Sequence, residues 1–289
     1  MSKEATIRGS IRWAFNTRTW DSSEQEWLLA SSCIPLEEKE RIGKFVFKSD
    51  AKASMAGCLM IRKLAHLATG EPYDKIIISR DKDGRPYLKN KKLPIDFNVS
   101  HQGNYTVLAG EVDRNFIVGV DVMNFEHKSG HELSEFFRLM NKSFTHDEWN
   151  TILAMDTEEK QSDMFFRYWS LKESYVKALG VGICTDLQKI SFKVNSLSLS
   201  ADKPCTDTVV HIDKVENASW RFHEWQLDSE HCVSVALTSR CNEPLNIPPV
   251  PFTMLSWSNL VREAVPMLPP DVNYCKLLME KKENALQIV

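Results

Sequence analysis

Residues 95–123 read IDFNVSHQGNYTVLAGEVDRNFIVGVDVM. Three short runs rich in β-branched and aromatic residues, DFNVS, YTVLAGE and FIVGVDV, are separated by Gly, Asn and Asp, a pattern that predicts an antiparallel meander. Upstream, residues 49–68 predict a helix: Ser49 or Asp50 can cap it, Ala53, Ala56, Met60, Leu64 and Leu67 recur at helical spacing, and Gly70 and Pro72 close it. KIIIS and the turn DKDGRPY lead from that helix into the strands. Downstream the same order returns. FTHDEW offers Thr145 and Glu148 as a capping box, a long helix is predicted from about 162 to 180, and ISFKV, TVVHI, RFHEW and CVSVAL read as strands.

Helix then sheet, twice, implies an α+β fold of two similar lobes, each a helix packed on a mainly antiparallel sheet. The expected divisions are 1–122 for the first lobe, 123–240 for the second and 241–289 for an extension. In that extension NEPLNIPPVP is a proline-rich connector, and TMLSWSNLVREAVPML is an amphipathic segment expected to pack back on the body.

Composition narrows the function. With 289 residues and 43% hydrophobic content the chain can bury a substantial core. Lys and Arg total 36 against 39 Asp and Glu, and a net charge of −3 argues against a general nucleic-acid binder. Seven scattered cysteines without a C-x-x-C pair disfavour a disulfide framework and structural zinc. The first residues form no continuous apolar stretch, and no apolar run is long enough to span a membrane, so a cytosolic protein is expected. Phosphate loop, dinucleotide fingerprint, zincin and nucleophile-elbow motifs are all missing. His127 and His131 are four apart, but the Lys-Ser-Gly between them makes a metal-binding helix a poor reading.

Three places break local rules. On the long helix, Ser162, Phe166, Trp169, Ser170, Glu173, Val176 and Lys177 share one face, while Met164, Leu171, Tyr175 and Ala178 occupy the other. Apolar residues nearly surround it, so Glu173 and Lys177 form either a surface ion pair or a desolvated pair that needs partners. In FIVGVDV, Asp121 is disfavoured within a strand, and Gly119 on the same face leaves room for a ligand or another backbone. Asp121 reads equally as a turn-proximal residue at the strand end. The third place is Asn98, Ser100, His101 and Gln102, polar groups where a strand enters a turn, with His101 readable as an ordinary turn residue. Positive charge from Arg41, Lys44, Arg62, Arg80, Lys82 and Arg85 surrounds the first predicted helix in sequence.

Taken in order, GRP, FNVSH, GVDV and WSLKESYVKALG resemble the Sfp-type 4'-phosphopantetheinyl transferase family. The family pairs G-[IV]-D with W-x-x-K-E-[AS]-x-x-K some fifty residues later; here Gly119, Val120 and Asp121 precede Trp169, Lys172, Glu173, Ser174 and Lys177. EEKERIGKFVFKSDAKASMAG, MIRKL and PFTMLSWSNLVREAVPM extend the resemblance, toward an animal branch, to about residue 268. It implies a monomer of two pseudo-symmetric lobes with coenzyme A and Mg²⁺ between them. The reaction implied is transfer of 4'-phosphopantetheine to a serine of an acyl carrier protein domain, such as that of fatty acid synthase or of an aminoadipate-processing enzyme. The alternative is a non-catalytic module that binds coenzyme A or a carrier.

By the same resemblance Asp121 and Glu173 would hold Mg²⁺, matching its preference for carboxylate, phosphate and water oxygens. Arg41, and more weakly Arg62, would meet the 3'-phosphate of coenzyme A. Arg80, Gly84, Arg85 and Pro86 would hold the adenine and nearby phosphate. Asn98, Ser100, His101, Lys172 and Lys177 would line the phosphate path, with Glu173, Lys177 and His101 catalytic. Many bacterial members carry a second acid where this chain has Met123, so Gln102 or a water would complete the metal shell.

Overall fold

The computed structural model describes residues 7–89, 94–126, 132–180, 186–241 and 245–283; His127, His131 and Cys184 lie outside them. The first lobe holds β1 (Gly9–Asn16), α1 (Glu24–Ser32), α2 (Leu36–Gly43), α3 (Lys48–Thr69), β2 (Ile78–Arg80), β3 (Pro86–Leu88), β4 (Ile95–Gln102) and β5 (Tyr105–Val112). Next come β6 (Phe116–Asn124), α4 (Leu133–Leu139), α5 (His146–Leu153), α6 (Glu158–Leu179), β7 (Ile190–Lys193), β8 (Val209–Ile212), β9 (Val215–Glu216), β10 (Trp220–Asp228) and β11 (His231–Ser239). The chain ends with β12 (Thr253–Met254), α7 (Trp257–Val261) and α8 (Val272–Met279).

The meander divides. β4 and β5 form an antiparallel hairpin in a sheet of order β12-β1-β5-β4, whereas β6 joins a second sheet, β10-β11-β6. The boundary expected after residue 122 therefore runs through β6, whose Val122, Asp121 and Val120 pair with Val233, Ser234 and Val235 of β11. The reason is that β6 buries both faces: Val118, Val120 and Val122 pack between the sheets, and the face with Gly119 and Asp121 lies under α6. A strand covered on both sides belongs at the centre of the molecule.

β4 and β6 run side by side at the junction and are laced by side chains. Asp96 accepts the Val118 N–H at 2.8 Å, Asn98 accepts that of Val120 at 3.0 Å, and Gln102 accepts that of Asn124 at 2.6 Å. Ser100 donates to Asp121 at 2.8 Å. Alternate residues of a strand point to one side, so one face of β4 supplies the whole seam.

Each lobe's long helix lies across its sheet. α3 begins after Phe47 without a side-chain cap, in place of the Ser49 or Asp50 cap expected, and ends at Gly70 in the left-handed conformation. Thr106 of β5 donates to the Ala53 carbonyl at 3.1 Å, fixing α3 over the first sheet. α6 is capped by Thr157, so it starts earlier than expected, and it closes on Gly180. Its buried Arg167 pairs with Glu224 of β10 at 2.7 Å, so removing either partner would strand a charge in the core. The predicted Thr145–Glu148 capping box opens α5.

The extension does pack back, on the first lobe. β12 runs parallel to β1, Trp257 stacks on Trp20 with centroids 4.8 Å apart, and Leu260 joins the first core. Asp271 meets Lys39 of α2 at 2.8 Å, and the Tyr274 hydroxyl donates to the Lys39 carbonyl at 2.7 Å. Among the described residues no helix is long and apolar enough to cross a membrane.

Candidate functional site

The seam and α6 create the site together. At Gly119 the backbone of α6 comes so close that an added Cβ would stand 2.0 Å from the Ser174 carbonyl oxygen. The room read into Gly119 is thus filled by a helix. That contact sets Glu173 and Lys177, the residues flanking the point of closest approach, over the Asp121 end of β6. Lys177 Nζ donates to Asp121 Oδ1 at 2.6 Å and to Ser100 Oγ at 2.8 Å, and Ser170 Oγ donates to the Asp121 carbonyl at 3.0 Å.

Asp121 is the electrostatic centre. It is only 4% exposed, and among the described residues its buried Oδ2 has no hydrogen-bond partner. Burial pushes its carboxyl above the usual carboxylate range, against the opposing pull of Lys177 and Ser100. Glu173 is likewise raised, by burial first and then by the negative charge of Asp121, while Lys177 pulls it back. Two neighbouring carboxylates that each resist ionisation, one with an orphaned oxygen, fit a hard divalent cation, which takes oxygen ligands and removes the repulsion. Among the described residues no group of three or more His, Cys, Asp or Glu side chains clusters for a metal.

The cleft that opens from this centre has a volume of about 330 Å³, and its wall includes Arg41, Arg80, Asn98, His101, Glu173 and Lys177. Gly84, Arg85 and Pro86 border the same space. Behind the wall, Glu38 gathers two of the cations: its Oε2 accepts from Arg41 Nε and Nη2 at 2.8 and 2.7 Å, and its Oε1 accepts from Arg80 Nε and Nη2 at 3.0 and 2.8 Å. Although burial works the other way, hydrogen bonds from Arg41 and Arg80 hold the Glu38 carboxyl below its usual range. Arg41 also donates to Ser54 Oγ at 2.7 Å. Glu38 and Ser54 escaped the sequence reading. Glu38 and Arg41 at i,i+3 are a visible signal, but the link to Arg80, 42 residues away, is not.

Three expected ligand contacts fall elsewhere. Lys172 is 1% exposed and pairs with Glu148 at 2.9 Å, inside the second core, with a further hydrogen bond to the Leu187 carbonyl. It precedes Lys177 by five residues, roughly 140° around the helix, so the two amines cannot serve one cleft. Arg62 is 2% exposed and donates to the carbonyls of Ile76 and Tyr73, tying α3 to the segment after it. Gln102 commits its amide oxygen to the Asn124 N–H at 2.6 Å, which makes it a seam residue. Met123, at 6% exposure, packs in the second core.

Comparison with known proteins shows the family. A family model described as 4'-phosphopantetheinyl transferase, N-terminal, matches residues 18–113, and one described as the 4'-phosphopantetheinyl transferase superfamily matches residues 117–236. The chain therefore belongs to the 4'-phosphopantetheinyl transferase superfamily, and it is an enzyme that activates carrier proteins. It is 40% identical over 287 residues to the L-aminoadipate-semialdehyde dehydrogenase-phosphopantetheinyl transferase of Xenopus laevis, covering 96% of this chain and 94% of that protein. The Homo sapiens protein of the same name is 42% identical over 277 residues, covering 91% and 89%. A phosphopantetheinyl transferase of Thraustochytrium sp. is 35% identical over 231 residues, covering 78% and 77%.

Proposed function

We propose that the chain binds coenzyme A in the cleft with the 3'-phosphate toward Arg41 and Arg80 and the pyrophosphate toward Ser100, His101 and Lys177. Gly84, Arg85 and Pro86 border the adenine end, and Asn98 lines the wall between them. The carrier serine hydroxyl attacks the β-phosphorus, the bond to the bridging oxygen breaks, and adenosine 3',5'-bisphosphate leaves. Glu173, with its raised carboxyl, takes the serine proton directly or through a water. Lys177 carries positive charge to the phosphate oxygens as negative charge grows on the leaving side.

Asp121 and Glu173 are the residues that would hold Mg²⁺, with a water in the third protein position because Gln102 is engaged in the seam. When bound, such an ion supplies Lewis-acid polarisation of the pyrophosphate. The observation that carries this reading is the buried Oδ2 of Asp121, without a hydrogen-bond partner among the described residues, beside Glu173 and Lys177.

Carrier domains present acidic helices, and the second lobe offers a matching face. Arg138 on α4 is exposed, Leu139 beside it is 59% exposed, and Lys142 follows. The carrier domain of a fatty acid synthase and an aminoadipate-processing carrier enzyme are the proposed partners, the second suggested by the names of the relatives. A monomer working in a reducing cytosol suits the free cysteines of the described residues.

Mass spectrometry of an apo-carrier incubated with enzyme, coenzyme A and Mg²⁺ tests the proposal. A gain of one phosphopantetheine that disappears with chelator is expected. Transfer unaffected by chelator would sink the metal assignment, and no transfer to any apo-carrier would sink the function.

A further inference from the structure

Arg85 borders the cleft, yet its guanidinium is turned toward protein. Nη1 donates to the carbonyls of Lys177 at 2.5 Å and Ala178 at 3.1 Å, in the last turn of α6. Nη2 donates to Asp96 Oδ2 and the Val118 carbonyl, both at 2.8 Å, and more weakly to the Phe97 carbonyl at 3.3 Å. The Arg85–Asp96 ion pair is largely shielded, with side-chain exposures of 15% and 13%. One side chain from the β2–β3 hairpin thus reaches β4 of the first lobe and β6 and α6 of the second.

We infer that Arg85 is a positioning residue for the transfer, clamping the two lobes and fixing the end of α6 rather than binding coenzyme A through its charge. A helix C-terminus leaves its last carbonyls unpaired and carries partial negative charge, so a cation held there is favourable. The carbonyl it holds belongs to Lys177, whose amine meets Asp121 and Ser100. Fixing that backbone atom sets where the amine stands, and Glu173 lies one turn earlier on the same helix. Asp96 completes the clamp: it also accepts the Val118 N–H at 2.8 Å and Arg240 Nη2 at 2.9 Å, so both β6 and the segment after β11 converge on one carboxylate. A phosphate could claim the Nη1 and Nη2 donors of Arg85 only by unfastening this junction. The planar fork matters here, since acceptors spread around Nη1 and Nη2 in different directions match a guanidinium and not an ammonium.

The inference rests on the reading that Lys177 and Glu173 serve the transfer. Arg85→Met, Arg85→Lys and Asp96→Asn would be assayed for kcat with a carrier and for coenzyme A dissociation by titration with Mg²⁺, with thermal unfolding recorded for each. A misplacement on the order of 1 Å costs about 100-fold, so Arg85→Met should lower kcat by about 10- to 100-fold while coenzyme A dissociation changes less than about threefold. Arg85→Lys should recover part of the loss. Asp96→Asn, which cuts the clamp from the other side, should lower kcat in the same direction with dissociation unchanged. A dissociation constant that rises by as much as kcat falls would make Arg85 a ligand contact and overturn the inference, as would an unaltered kcat. Should Arg85→Met fail to fold, wild-type kcat in both other variants would overturn it equally. Lys177→Ala run alongside separates the two failures: full activity there removes the transfer reading itself, whereas loss there with normal Arg85 and Asp96 variants removes only the clamp.

Discussion

Gly119→Ala is the most severe small substitution the site offers. The added Cβ would lie 2.0 Å from the Ser174 carbonyl oxygen, 2.5 Å from the Ala178 nitrogen and 2.9 Å from Ala178 Cβ, where ordinary contact begins near 3.4 Å. The shortfall against the nearest atom is 3.4 − 2.0 = 1.4 Å, and that atom is backbone, so no rotamer change relieves it. Either α6 lifts from β6 by about 1 Å or β6 bends away. Overpacking a core with a single methyl costs about 1 to 3 kcal/mol, and an unyielding backbone puts this case at about 3. At about 2 to 4 °C per kcal/mol for a chain of this size, Tm should fall by about 6 to 12 °C. The same displacement separates Lys177 from Asp121, now 2.6 Å apart, and should lower kcat by about 100-fold. Thermal unfolding and transfer to an apo-carrier measure the two effects. Gly57→Ala is the control, because its Cβ would meet side-chain methyls alone, of Val99 at 3.3 Å and of Thr106 at 3.7 Å, and its Tm should move far less. A Gly119→Ala enzyme with Tm within 2 °C of wild type (~0.5 to 1 kcal/mol) and kcat within about twofold would refute the packing argument.

Arg41→Ala should weaken coenzyme A by about tenfold or more, while dephospho-coenzyme A, which has no 3'-phosphate to lose, changes little; equal losses in parallel titrations would reject that assignment. Glu173→Gln should lower kcat by about 10² to 10⁴ with coenzyme A binding largely kept, and near-normal turnover would remove its role as base. His223, buried beside Arg12 and Arg221, has its pKa pushed down from 6.5 to about 4, by burial first. The unfolded chain takes up that proton near pH 6.5 and the folded one only near pH 4, so stability falls as pH drops through this window. The full effect is roughly 3 kcal/mol, and denaturant titrations of His223→Gln should show a correspondingly flatter acid limb.

The sequence exposed those parts of the site that local rules make expensive. An aspartate inside a strand, a glycine two residues before it, and a Glu and Lys on a helix apolar all round each demanded a partner, and they turned out to be one another's neighbours. Periodicity sets Lys177 and Lys172 roughly 140° apart but could not say which of them faces the cleft, because a helix apolar on every side gives no polar face by which to choose. The distinction needed the partner of Lys172, Glu148, which sits 24 residues earlier as part of a helix cap and shows nothing of a second role. Arg62 was misleading for a similar reason. Its carbonyl acceptors on Tyr73 and Ile76 are backbone atoms, which any sequence would supply.

The departure of β6 from the meander has the same origin as the seam. Hairpin signals fix which strands are consecutive, and β4 and β5 obey them with every residue from Ile95 to Gln102 in register. What they do not fix is whether the third strand continues that ladder. Here Asp96, Asn98, Ser100 and Gln102 offer side chains to β6 along the edge of β4, and β6 takes its own ladder from β11. A polar residue at every second position of a strand buried at a lobe junction looks unfavourable when read as a sheet surface. It becomes favourable once those side chains replace a backbone ladder between lobes. The polar stripe that looked like a binding site is therefore mostly mortar, and Ser100 is the point where the mortar meets the chemistry, shared between Asp121 and Lys177.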